Sequence, residues 1–545
     1  MSSQIQLAQE AWRALLGRDR VLVGGAIPDR FGVDTSASRR SIQTVLKIAS
    51  SSQIPEVMRI AQVNRTVIHP ISTGNNWGYG SAMPVVAEAS ILDLSELQAI
   101  LHFDPELGVV TLEPGVTQGM LADFLDQGGH DYMVPVTGAG PNCSLLANAL
   151  ERGYGLTPYV DHFGALTDLE AVLPDGSIYR SALREAGTEE LARLFKWGIG
   201  PYLNGIFTQS GFGVVTRASI LLARRPECVK VCLFSLKDDA LLEPAVDRIR
   251  ELLQTLTGTL SGVNLMNRHR ILAMTAPYPN VSELDELGLI PADHVAQLGR
   301  QYQVLPWTGF ASLYGRKSVV KAAQQEIRAA LKGIASRLIF LSPRQAGMLS
   351  RFAARIPCQI GSRLSRTAAT LNASMQLVQG RPNETALPLA YWRGPVRPNA
   401  TSARDPAQDG CGLFWYAPLI PMRGTDVRRF VEFATDQTRQ HRLEPLITFT
   451  SQGDRLFDST IPLLFDQKDP QAALEAANCL KSMTEVGQPL GFYPYRLHVD
   501  RMQDHLGRQP LAAELTQKLK RSLDPYDILA PGRYCRNIEI DNRTE

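Results

Sequence analysis

Three loops crowded with glycine, asparagine, proline and aromatic residues constrain this chain more than any other feature: GNNWGYGSAMP, MVPVTGAGPNC and ERGYGLTPYVDHFG. Glycine lets backbone N–H groups come close to a ligand, and loops of this composition hold ligands more often than cores. The loops are interleaved with strand-like and helical runs. VLKIAS, the amphipathic SQIPEVMRIAQVNR and VIHPIST form one cycle, and SILDLS, VVTLEPG and the helix-like TQGMLADFLDQGG form the next. ALTDLEAVLPDGSIYRS then reads as two strands joined at a Pro-Asp-Gly turn, and SGFGVVTRASILLARRP closes the region. Alternation of this kind predicts a mixed helix-and-strand domain.

Beyond Pro226 the rhythm changes. Long amphipathic helices are expected in DALLEPAVDRIRELLQTL, SVVKAAQQEIRAALKGIA and GTDVRRFVEFATDQTRQ, between strand candidates KVCLFSL, LFWYAPLIP and LITFTS. That pattern predicts a second domain of antiparallel sheet with helices. GPVRPNATSARDPAQDGC, from Gly394 to Cys411, reads as a long loop.

Several function classes drop out. A chain of 545 residues with 44% hydrophobic and 20% charged positions is too apolar for disorder and has room for about two to four domains. Its 56 basic and 54 acidic residues leave a net charge of +2 without long runs of one sign, so no polyanion partner is expected; even Arg351–Arg366 is interrupted by apolar residues. The N-terminal MSSQIQLAQEAWRALLG lacks the pattern of a secretory signal, and Ile5, Leu7, Ala8, Trp12, Leu15 and Leu16 fit one helical face. No apolar run reaches membrane-spanning length. The seven cysteines are scattered without a C-x-x-C pair, which predicts reduced thiols and no metal site. The phosphate-loop, zinc-peptidase, nucleophile-elbow and dinucleotide-fold motifs are missing. Ser318 and Lys321 satisfy S-x-x-K, but they open an amphipathic helix and read as a helix start.

Taken in order, ISTGNNWGYG, TGAGPNCSLLANALERGYGLTPYVDHFG, SGFGVVTR, YPYRLHVDRM and DPYDILAPGRY resemble the signatures of the vanillyl-alcohol oxidase family, flavoproteins with a domain like that of p-cresol methylhydroxylase. The resemblance runs over nearly the whole chain. It implies an α+β fold: a two-subdomain FAD-binding domain over 1–225 (core about 40–225), an antiparallel-sheet-and-helix substrate cap over 226–499, and a C-terminal segment, 500–545, returning to the FAD domain. It also implies an FAD-dependent oxidoreductase that removes hydride from the benzylic carbon of a para-substituted phenol through a quinone methide. Two other readings stay open: a family member acting on a different alcohol or natural-product intermediate, and a binding protein that kept the fold and lost the chemistry.

Residue by residue, the resemblance sets Ser72, Thr73, Gly74, Asn75, Asn76 and Gly78 against the cofactor, with Gly138, Gly140, Pro141, Ser144, Asn148 and Gly153, and then Gly213 and Val214. Tyr79, Tyr495 and Arg496 stand at phenolate-binding positions, and Arg533 matches a further cationic position that also serves the cofactor. Donors and a cation at the phenol oxygen lower its pKa and stabilise the charge that drives hydride out. Asp161 lines up with an aspartate beside flavin N5, where a carboxylate favours hydride transfer and takes a proton from water. His162 reads as structural. Family members often carry FAD covalently through histidine or tyrosine. The alignable histidine position here is Leu413, and the chain has no histidine between His294 and His441, which excludes a histidyl bond from this segment. Tyr391 is the candidate for a tyrosyl bond, with Tyr416 behind it, and absence of the bond is the third option. LITFTSQGDRLFDSTIPLLFD lacks paired histidines, so no further acid or base is carried over there. The electron acceptor in the family is oxygen or a c-type cytochrome, and a haem would sit on a partner because C-x-x-C-H is missing. A homodimer is implied, and a cytoplasmic setting is expected, or a periplasmic one if a cytochrome is the acceptor.

Overall fold

The computed structural model describes residues 3–155, 157–353, 359–394, 403–504 and 506–537. Parts of the Arg351–Arg366 stretch and of the Gly394–Cys411 loop lie outside the described residues. Strand Ala89–Asp93 is buried along its whole length and runs parallel to both neighbours, Ile42–Lys47 and Ile68–Ile71. Val21–Val23 completes this sheet, antiparallel to Ile42–Lys47. Parallel pairing needs a crossover, which helix Ile54–Val63 supplies by burying Ile54, Val57, Met58 and Ala61 at helical spacing. The N-terminal helix Ser3–Leu16 buries Ile5, Ala8, Trp12 and Leu16 in the same core, but leaves Leu7 exposed, off the face expected for it.

A second sheet is antiparallel, in the order Ile100–Asp104, Val109–Leu112, Val214–Leu221, Leu166–Val172 and Ile178–Arg180. Helices Gln118–Gln127 and Leu145–Leu150 belong to the same unit, and their first turns are capped by the hydroxyls of Thr117 and Ser144. The C-terminal segment is stitched across the first sheet. Ile68 N–H donates to the Ile528 carbonyl (2.7 Å) and Ala530 N–H to the Ile68 carbonyl (2.8 Å). Buried Lys520 donates to the Gly211 and Leu529 carbonyls and pairs with Asp524. Arg533 is thereby carried to the strand that holds His69.

The third sheet has eight antiparallel strands, ordered Arg337–Leu341, Cys228–Leu236, Trp307–Gly315, Leu260–Asn267, Thr448–Gln452, Leu456–Ser459, Pro418–Pro421 and Tyr493–Pro494. Alternation along these strands sorts residues between two faces. Leu265, Phe449 and Phe457 enter a core with helices Leu242–Thr255, Lys317–Ala330 and Gly424–Gln440. Their neighbours Asn264, Met266, Thr448, Thr450 and Asp458 face a cavity instead. Ser318 and Lys321 lie in the first turns of Lys317–Ala330, as helix-start residues. Among the described residues no helix is long and apolar enough to cross a membrane, and none of their His, Cys, Asp and Glu side chains cluster as metal ligands.

Candidate active site

One cavity of about 560 Å³ joins the three large sheets. At one end lies the first glycine loop. Strand Ile68–Ile71 runs straight into it, and Gly74, at φ +73°, turns the chain back. Among the described residues the N–H groups of Thr73, Gly74, Asn75 and Asn76 have no acceptor in the chain. Four adjacent free donors on a cavity wall match what a pyrophosphate requires. Ser72, Thr73, Gly74, Asn75, Asn76, Gly138, Ser144, Asn148, Gly153, Gly213, Val214 and Arg533 all line the same cavity.

Three residues of the glycine loops expected at the cofactor stand elsewhere. Gly78 packs against an indole: a Cβ there would meet Trp415 Cδ1 at 2.2 Å, and its N–H is taken by Thr35 Oγ1. Gly140 and Pro141 shape the turn before the capped helix and do not line the cavity; the Gly119 N–H is spent on the Pro141 carbonyl. Ser144 and Asn148 do line it, but Ser144 Oγ donates to the Pro114 carbonyl (2.6 Å) and Asn148 Oδ1 meets His162 Nδ1 (2.5 Å). His162 is buried, with its pKa pulled down to about 4 by desolvation.

Further in, the side chains expected at a phenolate converge. The Arg496 guanidinium stacks on the Tyr79 ring, 4.3 Å from its centroid, and Tyr495 meets Tyr154 edge to face at 5.4 Å. Long-range bonds fix this segment: Tyr495 N–H donates to the Ala417 carbonyl, Val499 N–H to the Tyr79 carbonyl, and the buried His498 ring meets Asp34 Oδ2 at 2.8 Å. Arg496 donates to Asn76 Oδ1, which ties the clamp to the glycine loop. Burial raises the pKa of the Tyr79, Tyr154 and Tyr495 hydroxyls, so each keeps its proton and stays a donor. None of the three has a hydrogen-bond partner among the described residues, which leaves them free for a ligand.

Two carboxylates here escaped the sequence reading. Glu151, in ERGYG, pairs with Arg533 and lies 3.4 Å from Arg496 Nε, so it is the shared counter-ion of both arginines. Asp458 is buried without a hydrogen-bond partner among the described residues, and desolvation pushes its carboxyl up to about 7 against the pull of Arg496. Its signal was a charged residue at an inward position of the alternating run LFDST. His69 was also missed: it lines the cavity near Arg533 with Nδ1 unpartnered, its pKa lowered to about 3 by burial first and then by that arginine.

Asp161 does not reach this place. It is exposed, lies outside the cavity lining, and accepts the Gly164 N–H at 2.8 Å across its own turn. A short Asp side chain bonds readily to the backbone two or three residues on, and that local option prevails here. Tyr391 is likewise turned away. The 3-10 helix Leu387–Tyr391 sets Leu387, Leu389 and Ala390 on the cavity wall, while the Tyr391 hydroxyl donates to Asp409 Oδ2 at 2.5 Å. Tyr416 bonds the Phe492 carbonyl from inside the helix-and-sheet core. The tyrosines on the cavity wall are Tyr79, Tyr154 and Tyr495.

Known proteins place this geometry. The signature of an FAD binding domain matches residues 42–182. The chain is 31% identical to the 1'-carboxy-chondrochloren decarboxylase of Chondromyces crocatus over 97% of each chain. It is 27% identical to the 4-cresol dehydrogenase [hydroxylating] flavoprotein subunit of Pseudomonas putida, over 98% of this chain and 96% of that one. Among solved structures, p-cresol methylhydroxylase with substrate bound superposes with a TM-score of 0.86 at 25% identity, covering 98% of both chains.

Proposed function

This chain belongs to the p-cresol methylhydroxylase family of FAD-dependent oxidoreductases, and on that premise we propose that it oxidises the benzylic carbon of a para-substituted phenol. Thr73 to Asn76 would hold the FAD pyrophosphate through their free N–H groups, with Arg533 beside them. We take residues 1–225 and the C-terminal segment as the cofactor-holding part, and 226–499 as the cap that brings the substrate to it. FAD, when bound, supplies the hydride acceptor.

The convergence of Tyr79, Tyr495, Arg496 and Asp458 on one wall carries the reading. A phenol entering this end meets neutral hydroxyl donors, a guanidinium and a carboxylate poised near neutrality. Asp458, when ionised, accepts the phenol proton; the phenolate formed is then neutralised by Arg496 and bonded by the tyrosines. With Glu151 offsetting one of Arg496 and Arg533, the surroundings of the clamp carry one net positive charge once Asp458 is protonated, which matches one phenolate. Electron push from that oxygen weakens the benzylic C–H bond, and loss of hydride leaves a quinone methide. Because Asp161 stands outside the cavity, the proton of any added water goes to solvent, or to Asp458 once that carboxyl has returned its first proton to the re-formed phenolate.

A second reading concerns the fate of the quinone methide, since the relative at 31% identity is named as the decarboxylase of a carboxy compound. If the carbon next to the benzylic one bears a carboxylate, its C–C bond breaks toward the ring. CO₂ leaves, and the electron pair forms the alkene and restores the phenolate. Both readings require the same clamp and the same first step. Of the implied partners, the phenolic substrate is the one this cavity serves; a c-type cytochrome acceptor and a homodimer complete the proposal.

The test is anaerobic addition of 4-ethylphenol or its O-methyl ether to the FAD-loaded protein. The free phenol is expected to bleach the flavin and the ether to leave it coloured. Equal bleaching by both would remove the need for a phenolate clamp, and no bleaching by either would refute the reading for this substrate class.

A further inference from the structure

One row of the sheet floor beyond Asp458 stands a cation without a counter-charge. Arg270, in the helix Arg268–Thr275, lines the cavity, and its Nε donates to Thr448 Oγ1 at 3.1 Å. Its Nη1 is buried without a partner, and among the described residues no carboxylate pairs with it. The nearby acids are engaged elsewhere: Glu444 takes the Ile290 N–H and the Tyr278 hydroxyl, and the arginine that acts on Asp458 is Arg496. Desolvation alone lowers the Arg270 pKa to about 10, so the group stays charged at neutral pH. An enclosed cation left unpaired is costly, and chains keep such groups where a ligand supplies the missing charge.

Its surroundings are built. Asn267 caps the helix, accepting Arg270 N–H (3.0 Å) and Ile447 N–H (3.1 Å), while its own amide donates to the Pro445 carbonyl (2.7 Å). The first turn of the helix is thus anchored to the segment leading into strand Thr448–Gln452, and the guanidinium to Thr448 itself. On the sheet floor Asn264, Thr450 and Asp458 form one cross-strand row, and Met266 and Thr448 form the next on the same face. Same-face positions two residues apart are separated by about 7 Å along a strand, so Arg270 faces the phenol end from one row further down. Asn264 adds a second unsatisfied group, its buried Oδ1 having no partner, and an amide can present either end.

We propose that Arg270, supported by Thr448 and Asn264, is the receptor for a carboxylate on the substrate's para side chain, so that the substrate class is a phenol bearing an acidic tail. This rests on the phenol reading above and extends it to the neighbouring row of the same cavity wall. A planar guanidinium held by its Nε offers its outer nitrogens to the two oxygens of a carboxylate. Two anion-binding poles then fix the molecule at both ends and leave the benzylic carbon between them.

The experiment measures dissociation constants by anaerobic rapid mixing for three probes: for 4-hydroxyphenylpropanoate and 4-propylphenol from the concentration dependence of the rate of flavin bleaching, and for phenylpropanoate from its competition with that bleaching. Wild type and the Arg270→Met and Arg270→Lys variants are compared, with melting temperature and FAD content as controls. The acid-to-neutral affinity ratio is expected to fall roughly a hundredfold in Arg270→Met and to recover partly in Arg270→Lys. Arg270→Met is expected to fold with unchanged or raised stability, because it removes an unpaired buried charge. An unchanged ratio overturns the proposal while leaving the phenol reading intact. A shift in FAD content or flavin spectrum with no change in the ratio also overturns it, by giving the guanidinium to the cofactor. If phenylpropanoate binds as tightly as its hydroxylated form, and both depend on Arg270, the carboxylate receptor stands and the phenol reading fails.

Discussion

Replacing Asp458 by asparagine removes a carboxyl that burial holds near pH 7 instead of its ordinary 3.8. The upward shift is a little over three pH units, or about 4 kcal/mol at roughly 1.4 kcal/mol per unit. The sign follows from proton binding. Between pH 4 and 7 the native state holds a proton that the unfolded chain has released, so the wild type loses stability as pH rises through that window. The loss levels off above about pH 7. Asparagine does not titrate. From about pH 5 to 8 the wild type should therefore lose about 3 kcal/mol that the variant keeps. For 545 residues unfolding as one unit, an unfolding entropy of about 2.1 cal/mol/K per residue turns this into a melting-point gap that widens by 2–3 °C. Scanning calorimetry of both proteins at the two pH values measures the gap, and subtraction removes titrations common to both. In parallel, flavin reduction by 4-ethylphenol should slow by about 10² or more in the variant, since the phenol proton loses its acceptor. A gap that stays constant with pH, together with unimpaired reduction, would refute both the elevated pKa and the proton-accepting role.

Arg496→Lys should lower kcat/KM for a 4-alkylphenol about a hundredfold, because a point charge replaces neither the stacking on Tyr79 nor the bond to Asn76; steady-state kinetics reads it. Gly78→Ala forces a Cβ to within 2.2 Å of the Trp415 ring at φ +77°, which should cost about 1–3 kcal/mol and appear as a lower melting point and weaker FAD retention. Tyr391→Phe should leave unchanged the fraction of flavin that stays with the denatured polypeptide, since its hydroxyl serves Asp409 and lies off the cavity wall.

The parts of this account that were legible in the sequence are those encoded locally. The glycine loop from Ser72 to Asn76 announces itself, because a chain that must offer consecutive free N–H groups needs glycine at the turn. Helices such as Leu242–Thr255 show their apolar period, and the Pro-Asp-Gly turn marks the Leu166–Arg180 hairpin. Residues whose meaning depends on distant partners were hidden. Glu151 becomes a counter-ion only when Arg496 and Arg533, hundreds of residues later, arrive beside it. Asp458 and Arg270 look like ordinary charged residues until the eight-stranded sheet turns them toward a cavity. Alignment with a family position also misleads where a local bond competes: Asp161 keeps its motif but turns to the Gly164 N–H, and Tyr391 keeps its neighbourhood but turns to Asp409.

The central claim is that a phenolate held by this clamp gives up a benzylic hydride, and isotopic substitution tests it most directly. FAD-loaded protein is mixed anaerobically in a stopped-flow instrument with 4-ethylphenol carrying deuterium either at the benzylic carbon or on the ring. Flavin bleaching should slow several-fold with benzylic deuterium and be unaffected by ring deuterium. Bleaching that ignores benzylic deuterium, or flavin that is reduced by a 2-hydroxy acid but never by the phenol, would contradict the claim.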